Sequence, residues 1–273
     1  MKYFNILFLI LFLTTSAKAQ SVKVSVSKVS IPTYTEPERE ELPMFAENRV
    51  HQRSSGNPYP NKIVLKVNRE QKVDKEYTLI KLDNEYLELQ ILPEIGGKIY
   101  AAKDKTNGYD FFYKNHVIKP ALIGALGSWI SGGLEFNWPF HHRASSFMPT
   151  DYEIEKLPGG GVIVWVSEHD PTDRMKGTVG IVLNPGESIF ETRVKLSNIT
   201  PLRHSFLWCL LLILVLHRSM ISLAVMIPAG NAGLCISEII MCHPVRRCSH
   251  GLTTSCPSLG KMLLRIQMEP IVN

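Results

Sequence analysis

A short stretch near the middle of the chain holds a carboxylate, an amide, an indole, two imidazoles and a guanidinium, which belong to Glu135, Asn137, Trp138, His141, His142 and Arg143. Carboxylates and amides hydrogen-bond hydroxyls, an indole can stack on the C–H face of a sugar, and a histidine moves protons near neutral pH. These residue types predict a site for a polyhydroxylated ligand. The alternative is a buried Glu–His or Glu–Arg pair that only stabilises a tight loop.

We assign candidate roles within this stretch by residue type. Glu135, His141 and His142 are the catalytic candidates, because they can carry protons to and from a sugar's anomeric centre. Asn137, Trp138 and Arg143 are the substrate-binding candidates. No metal and no other cofactor is expected.

The alternation of side chains along a strand predicts how the stretch is oriented. Glu135 and Asn137 would share one face and open into a groove, while Phe136 and Trp138 would share the other. We expect Phe136 to pack on the core and Trp138 to stand at its rim. Residues 141–143 would fold over the groove from the following loop.

Two adjacent glycines, Gly132 and Gly133, precede the candidate strand. Glycine adopts backbone conformations that residues with a Cβ avoid, so the chain here predicts a close approach by a large group. Pro139 ends the strand, because proline cannot donate a ladder hydrogen bond.

Most of the remaining chain has the pattern of short β-strands separated by turns. Residues 21–31 alternate valine with polar side chains, which predicts an edge strand, and five prolines predict a loop over 32–61. No amphipathic helix is evident over 62–200. The chain therefore predicts an all-β, antiparallel sandwich or barrel, with strands at 63–67, 77–82, 86–92, 98–102, 109–113, 152–157, 162–166, 177–183 and 188–196. Trp129 and Trp165 are expected in its core.

The first nineteen residues have the features of a secretory signal peptide. Lys2 supplies the positive charge, residues 6–13 are apolar, and residues 17–19 read Ala-Lys-Ala. We therefore expect an exported protein, periplasmic or extracellular, with an extended lead-in over 20–61.

The formal net charge of +5 arises from the two ends of the chain. Residues 20–208 carry 23 basic and 23 acidic side chains. A balanced domain has no basic surface for nucleic acid or an anionic membrane, so neither partner is expected. A carbohydrate is the expected ligand.

Three motifs carry a resemblance to a known superfamily. Residues 87–99, with Pro-Glu-Ile-Gly-Gly at their centre, resemble the opening hairpin of galactose-mutarotase-like domains, and residues 184–198 resemble a later hairpin that ends in asparagine. Together with 132–139, they make residues 62–208 similar to an uncharacterised, exported bacterial domain family that is often followed by tetratricopeptide repeats. The resemblance implies a β-supersandwich with a carbohydrate-facing cleft.

The resemblance also bears on the catalytic roles. Mutarotases use a histidine acid and a carboxylate base, and His141 or His142 could match the acid by its position on a loop after a central strand. Glu135 lies earlier than the late-strand carboxylate of true mutarotases, so the reaction itself is left open. Two classes of function remain: an enzyme acting at an anomeric centre, as an epimerase or hydrolase, and a non-catalytic glycan-binding module.

The composition changes abruptly after Trp208. All five cysteines lie beyond it, the run 210–216 is entirely aliphatic, and no aspartate or aromatic residue follows. We interpret 62–208 as an incomplete domain and 209–273 as an aberrant, irregular tail of the kind that a shifted reading frame produces. The alternative to a functional protein is an inactive truncated product.

Two other interpretations of the tail were weighed. Residues 206–228 are apolar enough for a membrane helix, but a histidine and an arginine stand at their centre, where a charge costs about 2.5–3.5 kcal/mol. No membrane association is therefore expected. The cysteines and histidines beyond residue 234 could ligate zinc, but they contain no Cys-x-x-Cys pair.

Overall fold

The computed structural model describes residues 20–35, 68–123, 127–138, 146–170, 175–202, 206–216, 219–229, 236–242 and 261–268. This part of the chain is built from β-strands and contains no helix, as the sequence pattern predicts. The strand predicted over 109–113 is absent, although Asp110 makes an isolated bridge to Lys103, and the strand predicted over 63–67 lies outside the described residues. In chain order the strands are β1 (Lys23–Tyr34), β2 (Lys72–Asp83), β3 (Leu87–Leu92), β4 (Lys98–Asp104), β5 (Pro120–Ile123), β6 (Gly127–Ile130), β7 (Leu134–Asn137), β8 (Asp151–Lys156), β9 (Val162–Asp170), β10 (Met175–Leu183), β11 (Ile189–Asn198), β12 (Phe206–Leu216), β13 (Ser219–Ala229), β14 (Ile236–Cys242) and β15 (Lys261–Met268).

The strands form two large sheets and one small one. The first sheet has the order β1-β2-β3-β4-β7-β12-β13, the second has the order β14-β15-β11-β10-β9-β8, and β5 pairs with β6. Among the described strands every pairing is antiparallel except that of β11 with β15. The fold is therefore a β-sandwich.

The main hydrophobic core lies between the two large sheets. Strand β11 shows how the sequence builds it, because Phe190, Thr192, Val194 and Leu196 are buried while the residues between them are partly exposed. This alternation places one face of the strand against the opposite sheet. The core unites such side chains from both sheets, including Leu89 of the first.

A second, smaller core covers the opposite face of the seven-stranded sheet. It joins Tyr77 of β2 and Tyr100 of β4 to residues of the connecting segments, among them Ile95, Ile118 and Phe147. The central strands of this sheet are consequently buried on both faces. This matters for β7, where all four residues, including a glutamate and an asparagine, are buried.

Trp138, directly after β7, lies in the main core and is 1% exposed. The prediction that it stands at the rim of the core was wrong. The reason is Gly177 on β10: a Cβ there would overlap the indole, so the glycine leaves the space that the ring fills. Phe136 packs in the same core and stacks on Trp208, with ring centroids 6.5 Å apart.

The predicted edge strand at the start of the chain is present as β1, at one edge of the seven-stranded sheet. It continues through Pro32 to Tyr34, so the prediction of a loop from residue 32 was wrong for these three residues, while 36–61 lie outside the described part. Proline is accommodated because its carbonyl accepts a hydrogen bond from Ile118 on the side away from β2. Its nitrogen faces the same way and is not needed in the β1–β2 ladder.

The predicted turn between β2 and β3 joins the two sheets. Asn84 accepts hydrogen bonds from the backbone of Tyr86 and Leu87, and its amide donates to the carbonyls of Asn184 and Glu187 in the β10–β11 turn. The buried amide of Asn84 therefore ties a turn of one sheet to a turn of the other.

A neighbouring contact strengthens the same junction. The exposed Glu85 carboxylate accepts a hydrogen bond from the Gly186 backbone at 2.8 Å, and this bond lowers the pKa of Glu85.

The region after Trp208, expected to be irregular, instead contributes strands to both sheets. Strand β12 crosses the change in composition, and its residues Cys209 to Leu212 pair with β7. An aliphatic run readily occupies the unpaired edge that β7 would otherwise expose. The membrane-helix alternative over 206–228 is not supported, since these residues contribute to β12 and β13. Within the described residues no helix is long and apolar enough to cross a membrane.

A pair of glycines on β10 tests the packing of Trp138. Gly177 lies under Trp138 in the core, and Gly180 lies under Trp165, which was expected in the core but is half-buried on the outer face of the second sheet. We expect Gly177→Ala to lower the free energy of unfolding by about 1–3 kcal/mol, because a buried indole has nowhere to move. Gly180→Ala should cost about 0.5 kcal/mol or less, because Trp165 can swing toward solvent.

Urea denaturation of both variants checks this expectation. Equal losses would contradict the assignment of Trp138 to a tightly packed core position.

Candidate functional site

The turn before β7 brings two parts of the backbone into close contact. Gly132 and Gly133 have φ of 99° and 71°, conformations that residues with a Cβ rarely adopt. A Cβ on Gly133 would overlap the carbonyl oxygen of Ile99 on β4, and one on Gly132 would lie 2.9 Å from the carbonyl oxygen of Tyr113. The close approach predicted for these glycines is therefore made by the protein's own backbone.

Lys98 and Glu135 form a buried pair at this turn. They are cross-strand neighbours, because Ile99 of β4 pairs with Leu134 of β7. The Lys98 ammonium lies 3.8 Å from Glu135 Oε2, and the two side chains are only 2% and 4% exposed. The same ammonium donates hydrogen bonds to the carbonyls of Ile130 and Gly132, at 2.6 Å and 2.9 Å. Lys98 therefore fixes both the turn and the carboxylate.

The Glu135 carboxylate is less well satisfied than the ammonium beside it. Both oxygens are buried, and no residue in the described part of the chain donates a hydrogen bond to either. A buried ionised group normally requires hydrogen bonds as well as a counter-ion, because desolvation costs several kcal/mol. Two carboxylate oxygens with spare acceptor capacity could receive hydroxyl or amide donors.

The structure separates the residues that the sequence grouped together. Asn137 lies on the same face of β7 as Glu135, as predicted. The prediction that this face opens into a groove was wrong for the described residues, because Glu135 is 3% exposed and Asn137 is completely buried. Trp138 belongs to the main core, on the other side of the sheet. The remaining candidates, His141, His142 and Arg143, lie outside the described residues.

Sequence reasoning missed Lys98 as a member of the site. A lysine that starts a strand usually extends into solvent, and only the register between β4 and β7 brings it to Glu135. One local signal was present, since Lys98 directly follows the Gly96-Gly97 corner and precedes an apolar run.

Tyr100 shares the buried surroundings of Lys98, two residues along β4. Its hydroxyl donates to the Asn115 carbonyl at 2.5 Å. Burial, with smaller contributions from Tyr113 and Tyr77, raises the pKa of Tyr100 to about 12. The Tyr100 phenol is therefore a neutral hydrogen-bond donor at physiological pH and has no role as a base.

Within the described part of the chain, no three His, Cys, Asp or Glu side chains lie close enough to hold an ion. The zinc alternative concerns cysteines and histidines that, apart from Cys242, lie outside the described residues.

A two-layer β-sandwich with a buried Lys–Glu pair on its central strands is the class that the fold and site define. Over residues 56–211 the chain matches the family described as Domain of unknown function (DUF5107), and it belongs to that family. The structure is similar to the crystal structure of a TPR-domain containing protein from Parabacteroides distasonis ATCC 8503, with a TM-score of 0.62 and 18% sequence identity. The match covers 76% of this chain and 37% of that protein, and at this identity it establishes the fold alone.

Two glycines with the same backbone conformation test how closely the turn at the site is packed. Gly133 and Gly186 have φ of 71° and 69°, so replacing either with alanine incurs a similar backbone cost, about 1–2 kcal/mol. Only at Gly133 would the new Cβ meet other atoms within 4 Å. We expect Gly133→Ala to destabilise the protein by about 1 kcal/mol or more beyond Gly186→Ala.

Chemical denaturation of the two variants measures the difference. If both lost the same stability, the contact between the Gly133 turn and β4 would not constrain the site.

Proposed function

We propose that this domain binds carbohydrate and that the buried Glu135 carboxylate accepts hydrogen bonds from sugar hydroxyls. The observation that carries the proposal is the state of this carboxylate: it is held by Lys98, buried, and without a hydrogen bond from any described residue. Asn137, on the same face, supplies an amide for a second hydroxyl.

The energetics of the pair support a functional role over a purely structural one. A buried ion pair can often be replaced by well-packed apolar residues with no loss of stability, or with a gain of about 1–4 kcal/mol. The Lys98 ammonium donates hydrogen bonds to two backbone carbonyls, and these bonds do not require a carboxylate nearby. Glu135 therefore adds a second buried charge. A group that is costly to bury and has spare acceptor capacity is typical of a binding site.

The resemblance to galactose-mutarotase-like domains supports the ligand class. The Gly-Gly corner that carries this resemblance is formed by Gly96 and Gly97, with φ of 63° and 66°. The signal-like residues 1–19 support export to the periplasm or beyond, where glycans are abundant. In this proposal the domain is a binding module, and catalysis at an anomeric centre would require His141 or His142 to act with Glu135.

Substitution of Glu135 tests the site. We expect Glu135→Gln to weaken the binding of a monosaccharide by one to two decades, because a charge-assisted hydrogen bond contributes about 1.5–3 kcal/mol. Calorimetric titration with galactose, glucose, mannose and xylose measures the affinity. Equal affinities for the wild type and the variant would contradict the assignment of Glu135 to the sugar-binding site.

A double variant guards against misfolding, since removing one member of a buried pair can cost about 3–5 kcal/mol. Lys98→Met with Glu135→Leu removes both charges and should melt close to the wild type while losing monosaccharide binding at the Glu135 site. Substituting His141 and His142 separates the two classes of function: a binding module keeps its affinity, whereas an enzyme loses anomer exchange or hydrolysis.

We also infer that residues beyond the family match derive from a shift of reading frame. The family match ends at residue 211, three residues after the change in composition at Trp208. The nucleotide sequence around the Trp208 codon provides the test. A shifted frame should encode strand-patterned sequence without the excess of cysteine, and stop codons within a few residues in both other frames would refute the inference.

A further inference from the structure

A second groove lies on the outer face of the six-stranded sheet, on the opposite side of the sandwich from Glu135. It has a volume of about 510 Å³, within the range of small-molecule sites. Its floor is formed where β8, β9, β10 and β11 run side by side. None of the residues of the Glu135 site lines it.

The most prominent side chain of this groove is Trp165 of β9. The benzene half of its indole covers Gly180 of β10, where a Cβ would lie 2.6 Å from the nearest ring atom. The indole nitrogen donates to Glu155 at 2.8 Å, and the Lys195 ammonium lies 4.5 Å from the ring centroid. The ring is thus oriented on the sheet surface while it remains only half-buried.

One cross-strand row supplies polar groups of different kinds next to the indole. The pairing register places Asp151, Ser167, Thr178 and Lys195 side by side on four consecutive strands. The hydroxyls of Ser167 and Thr178 are 3.0 Å apart at the centre of the row. The groove therefore offers carboxylate acceptors at one side, an ammonium donor at the other, and hydroxyls between them.

This arrangement discriminates between classes of ligand. The groove gives the phosphates of a nucleic acid no net attraction, because the carboxylates of Asp151, Glu153 and Glu168 outnumber the ammonium groups of Lys176 and Lys195 in its lining. A wholly apolar molecule would desolvate these charged groups without replacing their hydrogen bonds. A neutral molecule with many hydroxyls and a flat C–H face is complementary to this groove. Its hydroxyls can donate to the carboxylates and accept from the ammonium, and its C–H face can stack on the indole. Lys195 is a long, flexible side chain that can move from the ring to a hydroxyl.

We propose that this groove is a second carbohydrate site, which binds neutral oligosaccharides by stacking one sugar ring on Trp165. Sugar hydroxyls accept from Lys195 and donate to Asp151 and Glu153. This site shares no residue with the Glu135 site, so the two binding proposals can be tested separately.

The test is calorimetric titration of the full chain with cellohexaose, maltohexaose, xylohexaose and chitohexaose, with hexagalacturonate as the charged comparison. At least one neutral probe should bind, and Trp165→Ala should weaken it by at least about 10-fold. Gly180→Ala keeps every polar group but lifts the indole from the sheet, so it should also weaken binding. Tyr86→Ala is the matched control, because Tyr86 is an exposed aromatic residue outside the groove.

Other variants separate the two proposed sites. Lys98→Met with Glu135→Leu should bind the oligosaccharide as the wild type does, whereas Trp165→Ala should leave monosaccharide binding at Glu135 intact. A melting curve for each variant excludes misfolding, and Trp165→Phe, which retains a ring, should recover part of the affinity.

Several results would overturn the proposal. They are the absence of binding by every neutral probe, a preference for hexagalacturonate, and equal affinity of Trp165→Ala and the wild type. If Trp165→Ala instead changed the mass measured by light scattering, the groove would be an interface between copies of the chain and the carbohydrate proposal would be wrong.

Discussion

The contact between Trp138 and Gly177 determines how the central strand of this sandwich is used. The indole reaches from the end of β7 across the core to the opposite sheet, where the glycine leaves room for it. Because side chains alternate along a strand, placing Phe136 and Trp138 in the core directs Glu135 and Asn137 to the other face. The same packing contact that closes the core therefore positions the polar pair.

The face of β7 that carries Glu135 and Asn137 is buried, and this burial determines the energetics of the Lys98–Glu135 ion pair. If the face were exposed to water, Lys98 and Glu135 would form a surface ion pair contributing about 0–1 kcal/mol. The smaller core of Tyr77, Tyr100 and their neighbours shields the face instead. Under these conditions each polar atom needs a partner. The Lys98 ammonium donates to two carbonyls, whereas the Glu135 carboxylate has an ammonium at 3.8 Å and no hydrogen bond from a described residue.

The sequence was sufficient to predict features that depend on local pattern. Alternation over 188–196 gave β11, and the alternating valines of 21–31 gave the edge strand β1. The placement of Trp138, Lys98 and Trp165 could not be predicted in the same way. Each depends on a residue that another strand brings close: Gly177 lies across the core from Trp138, Glu135 lies beside Lys98 on the paired strand, and Gly180 lies opposite Trp165 on the next strand. Such contacts follow from sheet order and register, which a single sequence does not encode visibly.

Strand β10 carries a glycine beneath a tryptophan ring on each of its two faces, and the two rings differ in their exposure to solvent. Gly177 and Gly180 differ by three positions, an odd number, so they face opposite sides of the sheet, and each accommodates a tryptophan ring. Inside the sandwich the Trp138 ring is enclosed and packs in the main core. On the outer face the ring lies on a flat sheet surface bordered by hydroxyls, carboxylates and an ammonium, where it remains available to a ligand. The burial of the surrounding surface, and not the residue type, decides which of the two tryptophan rings is accessible from outside the sandwich.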